Sequence, residues 1–254
     1  LVVLFLHTLI CLWVLQQPGL QGLGYLSSFS IGVVLLFTAP LAGFFVEPRL
    51  GLRGLMRAIL VTSLLLFGIP FLFALLQSFW VPLCNGKRAL AFWLIGPLFG
   101  VVFGVSLGIS VRRWIRGRSL WWGLGIGLCL LLMSVGYHLY RLYTEPSVFF
   151  FHPIAGYFAG PIYDLQVHIG VGYVLHRLWW CGAFFLLFLP WCRRKAIWAG
   201  VGVIWLLVGF GLKSHLGIDP GRTAIMNTLT RTHTGTYVTV HADQRGYTKE
   251  EVQL

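Results

Sequence analysis

Residues 145–168 read EPSVFFFHPIAGYFAGPIYDLQVH, and this stretch separates what can be helix from what cannot in an otherwise apolar chain. Pro146, Pro153 and Pro161 each remove a backbone donor and restrict the residue before them, so no continuous helix runs through it. It holds Glu145 and Asp164, two of only three acids before residue 214, together with His152, His168, Tyr157 and Tyr163. On both sides the sequence is apolar in runs of about 20 residues, the length that crosses a bilayer as helix. The fold class that follows is all-α, a polytopic membrane helical bundle of about seven transmembrane helices. The quoted stretch forms most of an outer loop over residues 144–173.

Composition agrees with that reading. Of 254 residues, 57% are hydrophobic and 10% are charged, against about 25% charged in a soluble globular domain. Mean hydropathy is +0.81. The net charge of +12 is not spread evenly. Residues 214–254 carry Arg222, Arg231, Arg245 and Lys249 against Asp219, Asp243, Glu250 and Glu251, so the whole excess lies in residues 1–213. There the basic residues form short clusters between apolar runs. That pattern serves membrane topology and contact with anionic lipids, and it argues against nucleic acid as a partner. Cys11, Cys84, Cys129, Cys181 and Cys192 are scattered without a CxxC pair, so no disulfide or metal site is expected from them.

The expected spans are 1–16, 29–46, 58–81, 90–111, 120–143, 174–191 and 196–212. Pro40, Pro70 and Pro97 fall inside three of them. Leu1 lies within an apolar run, so the sequence is expected to be a piece of a longer chain. Cys84–Arg88 reads as a tight Asn-Gly turn. Alternate loops differ sharply in charge. One side has Arg49, Arg53, Arg57, Arg112, Arg113, Arg116, Arg118, Arg193, Arg194 and Lys195; the other has Lys87 and Arg88. The positive-inside rule then places the N-terminus in the cytoplasm and the 144–173 loop and the C-terminus outside.

The last forty residues are polar and balanced in charge. Thr236–His241 alternates as a strand does, and Thr248 with Glu251 forms a capping box that opens a helix. Residues 214–254 therefore read as the beginning of a truncated extracytoplasmic α/β segment, a strand followed by a helix start.

Chemistry is sparse. The outer-loop polar cluster Glu145, His152, Asp164, His168 and Arg177 is the candidate site. Its donor gaps across proline turns do not match compact zinc spacings, so no metal is assigned. Asp164 and His168 at i, i+4 suit a structural hydrogen bond, and Arg177 suits a clamp to Asp164 or Glu145. The aromatic runs read as a loop whose rings dip among lipid headgroups. GVSLG at 104–108 matches a nucleophile elbow, but it lies mid-span, where Gly100, Gly104 and Gly108 make a helix-packing face. An intramembrane hydrolase would set Ser106 against His138 or His176. His138, near a span end, reads as an interfacial side chain.

Three segments carry a resemblance: HPIAGYFAGPIYD (152–164), PLCNGKRALAFWLIGPLFG (82–100) and TGTYVTVHADQRGYTKEEVQL (234–254). They resemble bacterial polytopic membrane proteins with an appended periplasmic peptidase-MA-like domain of the gluzincin type. The resemblance implies the bacterial inner membrane as location. It also implies a zinc-binding HExxH helix after Leu254, so no catalytic residue and no cofactor is assigned within this chain. The function expected is a membrane domain anchoring an outward-facing, peptidase-like domain, with the bilayer, anionic lipids and a further membrane protein as partners. The alternative is a transporter or permease component without ion-coupling residues of its own.

Overall fold

The computed structural model describes residues 1–47, 49–81, 85–115, 119–144, 150–158, 169–213, 215, 231–234 and 239–242. Among these residues the apolar runs form seven helical rods. They are α1 (Val2–Leu15), α2 (Tyr25–Phe44), α3 (Leu52–Gln77), a rod made of α4 (Gly86–Trp93), a π-helical turn (Leu94–Leu98) and α5 (Phe99–Trp114), then α6 (Leu120–Thr144), α7 (Val171–Leu187) and α8 (Lys195–Leu212). Four rods are long and apolar enough to cross a membrane: α2, α3, the α4–α5 rod and α8. At 1.5 Å per residue, α2 measures about 30 Å, the thickness of a bilayer's hydrocarbon core. Two short antiparallel hairpins complete the described chain: β1 (Phe150–His152) with β2 (Gly156–Phe158), and β3 (Arg231–Thr234) with β4 (Thr239–Ala242).

Glycine sets how closely the central rods approach. A Cβ on Gly108 would overlap the Pro40 carbonyl oxygen, one on Gly104 would press into Ala39, and one on Gly43 would overlap the Val105 carbonyl oxygen. The small-residue face of α5 therefore packs backbone to backbone against α2, as membrane helices do without a hydrophobic drive between them. Ser106 sits inside this contact, with its hydroxyl donating to the Val102 carbonyl oxygen at 2.7 Å. It is spent on its own helix, as the packing reading of GVSLG requires.

Two of the interior prolines leave a carbonyl without its helical donor, and a side chain from another rod supplies one. Pro70 has no N–H for the Leu66 carbonyl. His7 of α1 donates to that oxygen from Nε2 at 2.8 Å. Pro97 lies in the π-helical turn, where N–H groups reach the carbonyl five residues back, here Phe92. Ser28 of α2 donates to the Phe92 oxygen at 3.0 Å. Both repairs follow from a medium that offers no water to a stranded carbonyl.

Side-chain staples then close the loops. Gln77 donates to the Leu15 carbonyl and accepts from Gly22 N–H, and Ser78 accepts from Leu23 N–H at 2.8 Å, so the end of α3 holds the α1–α2 connection. At the opposite end Trp191 donates its indole N–H to the Leu50 carbonyl at 3.0 Å. The guanidinium of Arg113 lies over the Trp191 ring and that of Arg112 over Phe44. The arginine-bearing connections around residues 49, 113 and 193 thus share one end of the bundle. The 150–158 hairpin packs at the other. The Asn-Gly pair expected to close a turn instead starts a helix: Asn85 caps α4 by accepting from Arg88 N–H at 3.1 Å. In the tail, β4 overlaps the strand expected at 236–241, and β3 pairs with it. The expected helix start at Thr248 lies outside the described residues.

Candidate functional site: a hairpin seated among buried histidines and an arginine

The element that organises the buried polar groups is the β1–β2 hairpin. Pro153 bars a helix here, and Gly156 closes the turn with φ +103°, a conformation open to glycine. His152 stands opposite Gly156 and Phe151 opposite Tyr157. The tip, Pro153 to Ala155, is buried in the bundle. A Cβ on Gly32 would overlap the Ala155 carbonyl oxygen, and one on Gly100 the Ile154 carbonyl oxygen. Gly32 lies seven residues into α2, so the tip reaches about 10 Å below that helix end. The aromatic stretch was expected to rest among headgroups. Instead residues 150–158 turn inward and wedge between rods.

Non-helical backbone at such depth must have its polar groups satisfied by protein. His152 Nδ1 accepts the N–H groups of Ile154 and Ala155, at 3.1 and 3.0 Å. Arg177 Nη1 donates to the carbonyl oxygens of His152 and Pro153, at 3.1 and 2.6 Å. His138 Nε2 lies 3.2 Å from the Phe151 carbonyl oxygen. Three ionisable side chains therefore serve five backbone groups of one hairpin.

The helices set these side chains at i, i+4 spacing. Arg177 Nη2 donates to Tyr173 Oη at 2.8 Å, one turn back on α7. Its guanidinium carbon stands 5.0 Å from the Phe99 ring centre and 4.9 Å from that of Tyr173, so aromatic faces take up charge that no described carboxylate meets. Trp180 donates its indole N–H to His176 Nε2 at 3.0 Å. On α6, His138 Nδ1 lies 2.7 Å from the Ser134 carbonyl oxygen, and Ser134 Oγ lies 2.9 Å from His152 Nε2. The His138 and His152 rings are 4.9 Å apart between centres. Phe151, Tyr157 and Tyr173 close the cluster with ring centres 5.1 to 5.4 Å apart.

Two backbone N–H groups aimed at Nδ1 fix the His152 tautomer. The ring is neutral with its proton on Nε2, facing Ser134. Burial first, then the charges of His138 and Arg177, push its pKa down to about 3. Burial and the neighbouring Tyr25 push the Tyr157 phenol up. Among the described residues, His176 Nδ1 and Arg177 Nε are buried without a hydrogen-bond partner.

Of the five residues expected to form the outer cluster, His152 and Arg177 meet, joined through the His152 carbonyl rather than its ring. Glu145, Asp164 and His168 lie outside the described residues, and so does the expected arginine–carboxylate clamp. Among the described residues no three His, Cys, Asp or Glu side chains are grouped to hold a metal ion. His138, half-buried, belongs to the cluster, and His176 and Ser134 belong with it. The signals that could have found them are the pairs Ser134–His138, Tyr173–Arg177 and His176–Trp180, each four apart on an apolar helix. His7 was missed as a buried histidine, and its distance in sequence from Pro70 hid its role. No family model matches this chain, and no curated protein or solved structure matches it either.

Proposed function

We propose that this chain is a multi-pass membrane anchor whose outer end is shaped by the seated hairpin and which presents its C-terminal segment on the same side of the membrane. One observation carries the reading: His138, His152 and Arg177 are engaged in holding hairpin backbone. Such engagement builds a rigid platform. The seven rods then all span, with the arginine-bearing end in the cytoplasm and the hairpin outside, by the positive-inside rule. Anionic lipids meet Arg49, Arg112, Arg113 and Arg193 at the inner surface. The segment after α8 is the stem of an outward-facing domain of the peptidase-MA-like kind, and any zinc belongs to that domain. The location is a bacterial inner membrane.

Single cysteines at Lys87 and Arg193, in a background freed of native cysteines, test the topology in intact cells. An impermeant maleimide should label position 87 and spare position 193. Labelling of 193 with protection of 87 overturns it. A second reading, a permease component, is favoured by two features. The α4–α5 rod is broken at Pro97, and His176 Nδ1 and Arg177 Nε are donors without a described acceptor. Solute uptake into proteoliposomes that is lost in R177Q would favour the permease over the anchor.

A further inference from the structure

One face of α7 carries buried donors that outnumber their acceptors. Tyr173, His176 and Arg177 stand at i, i+3 and i+4, so they lie side by side on the helix. Each is at most 4% exposed. Tyr173 Oη accepts from Arg177 Nη2, which leaves its own O–H without an acceptor among the described residues. His176 Nε2 accepts the Trp180 indole N–H, so the ring's own N–H is on Nδ1, and it has no partner. Arg177 Nε–H has none either. The one described acid, Glu47, lies at the far end of the bundle, where it accepts from Arg49 N–H.

The guanidinium shows which of its edges is unused. The rings of Phe99 and Tyr173 stand 5.0 and 4.9 Å from its carbon, and Nη1 is capped by the His152 and Pro153 carbonyl oxygens. The edge made by Nε and Nη2 has the Tyr173 hydroxyl alone. That edge is one on which a carboxylate or a phosphate docks through two parallel bonds. Glycines flank it. A Cβ on Gly156 would stand 3.4 Å from Tyr173 Oη and 3.5 Å from Arg177 Nη2, and one on Gly96 3.3 Å from Tyr173 Oη. Neither position overlaps another atom, so a ligand oxygen has room beside the hydroxyl and the guanidinium.

We propose that this face of α7 binds an oxyanion, the carboxylate or phosphate group of a small solute or of a lipid headgroup. The oxyanion takes the Nε–Nη2 edge of Arg177 and accepts from Tyr173 O–H and His176 Nδ1–H. In a medium without water a buried cation beside idle donors is costly, and one anion supplies both the charge and the acceptors. Arg177 stands six residues into α7, about 9 Å from the Val171 end. The anion enters from that end, beside Gly96 and Gly156. The site is independent of the anchor reading, because a bound anion serves a fixed platform as counter-ion and a permease as cargo.

The test is NMR of the whole chain, with carbon-13 and nitrogen-15 in its arginines and histidines, in maltoside micelles, which carry no phosphate. Acetate, inorganic phosphate and phosphatidylglycerol are titrated in turn at neutral pH, against chloride at equal ionic strength. The Arg177 Nε–H proton should move downfield, saturably, as it gains an acceptor. A response to acetate or phosphate identifies a free anion, and a response to phosphatidylglycerol alone identifies a headgroup. H176Q and H176N separate recognition from packing. Glutamine sets an oxygen where Nε2 accepts from Trp180 and has no donor at the place of Nδ1; asparagine sets an amide N–H there. H176Q should weaken binding about tenfold, and H176N should stay within about threefold of the wild type. K87Q and R194Q, which remove exposed cations at the two ends of the bundle, should leave the affinity unchanged. An Nε–H signal unmoved by all three probes overturns the site, as does a response lost in K87Q or R194Q, or one equal in H176Q and the wild type. If the His176 variants do not fold, the His176 Nδ1–H signal of the wild type decides. It should move together with that of Arg177, and a stationary signal overturns the site.

Discussion

Replacing Gly32 with alanine adds one methyl group, and the structure says where it goes. The new Cβ would overlap the Ala155 carbonyl oxygen at the hairpin tip, and Ala155 Cα and its carbonyl carbon stand close behind. That obstacle is backbone, held by the two amide bonds to His152 and by Arg177 on the His152 and Pro153 carbonyls. A flexible side chain could swing aside; this turn must shift as a unit. Overpacking of this kind costs about 1–3 kcal/mol. A further ~0.5–1 kcal/mol goes with the close Cα–H···O contact. Against these stands the gain in helix propensity from glycine to alanine, about 1 kcal/mol at most. Gly200→Ala on α8 isolates that gain, because nothing lies within 4 Å of its would-be Cβ. The difference between G32A and G200A is then about 2 kcal/mol, or roughly 30-fold in the ratio of folded to unfolded protein. Unfolding in mixed micelles, followed by tryptophan fluorescence, measures it. G100A should fall beside G32A, since its Cβ would meet the Ile154 carbonyl oxygen. If G32A and G100A unfold together with G200A, the hairpin does not sit between α2 and α5, and the site described above dissolves.

Three further outcomes are expected. S28A strands the Phe92 carbonyl and should cost about 1–3 kcal/mol; with P97A, which restores a helical donor, the same change should cost less than half as much, as a double-mutant cycle would show. H7L should likewise strand the Leu66 carbonyl and lose about 1–3 kcal/mol in the same unfolding assay, with partial rescue by P70A. His152 is held neutral, with its pKa pushed from 6.5 to about 3, so between those values the unfolded chain binds the extra proton. Stability should therefore fall as pH drops below about 6.5, by at most ~1.4 kcal/mol per pH unit. In H152Q the slope over that window should be shallower, and an unchanged slope would assign the acid sensitivity to another group.

The rods were legible because their cause is local. Each is a run of apolar residues that names its own length, and Gly100, Gly104 and Gly108 announce their packing face by spacing alone. The proline kinks were legible too, but not what repairs them. Nothing in the neighbourhood of Pro70 points to His7, sixty-three residues earlier, and nothing near Pro97 points to Ser28. The hairpin was harder still. FFFHPIAGYF has the aromatics of an interfacial loop and the turn residues of a buried one. Only the glycines at 32 and 100, on other rods, tell the two apart.

One physical demand ties these cases together. In a medium without water, each carbonyl or amide that leaves the helical ladder needs a donor or acceptor from elsewhere in the chain. Pro70 creates one such need and Pro97 another, and the turn of the hairpin creates five more. The polar side chains named here meet those needs: His7, Ser28 and His138 serve one group each, and His152 and Arg177 two each. Their placement thus follows from where the backbone departs from helix, and an ionisable residue within a span is explained first by the nearest such departure.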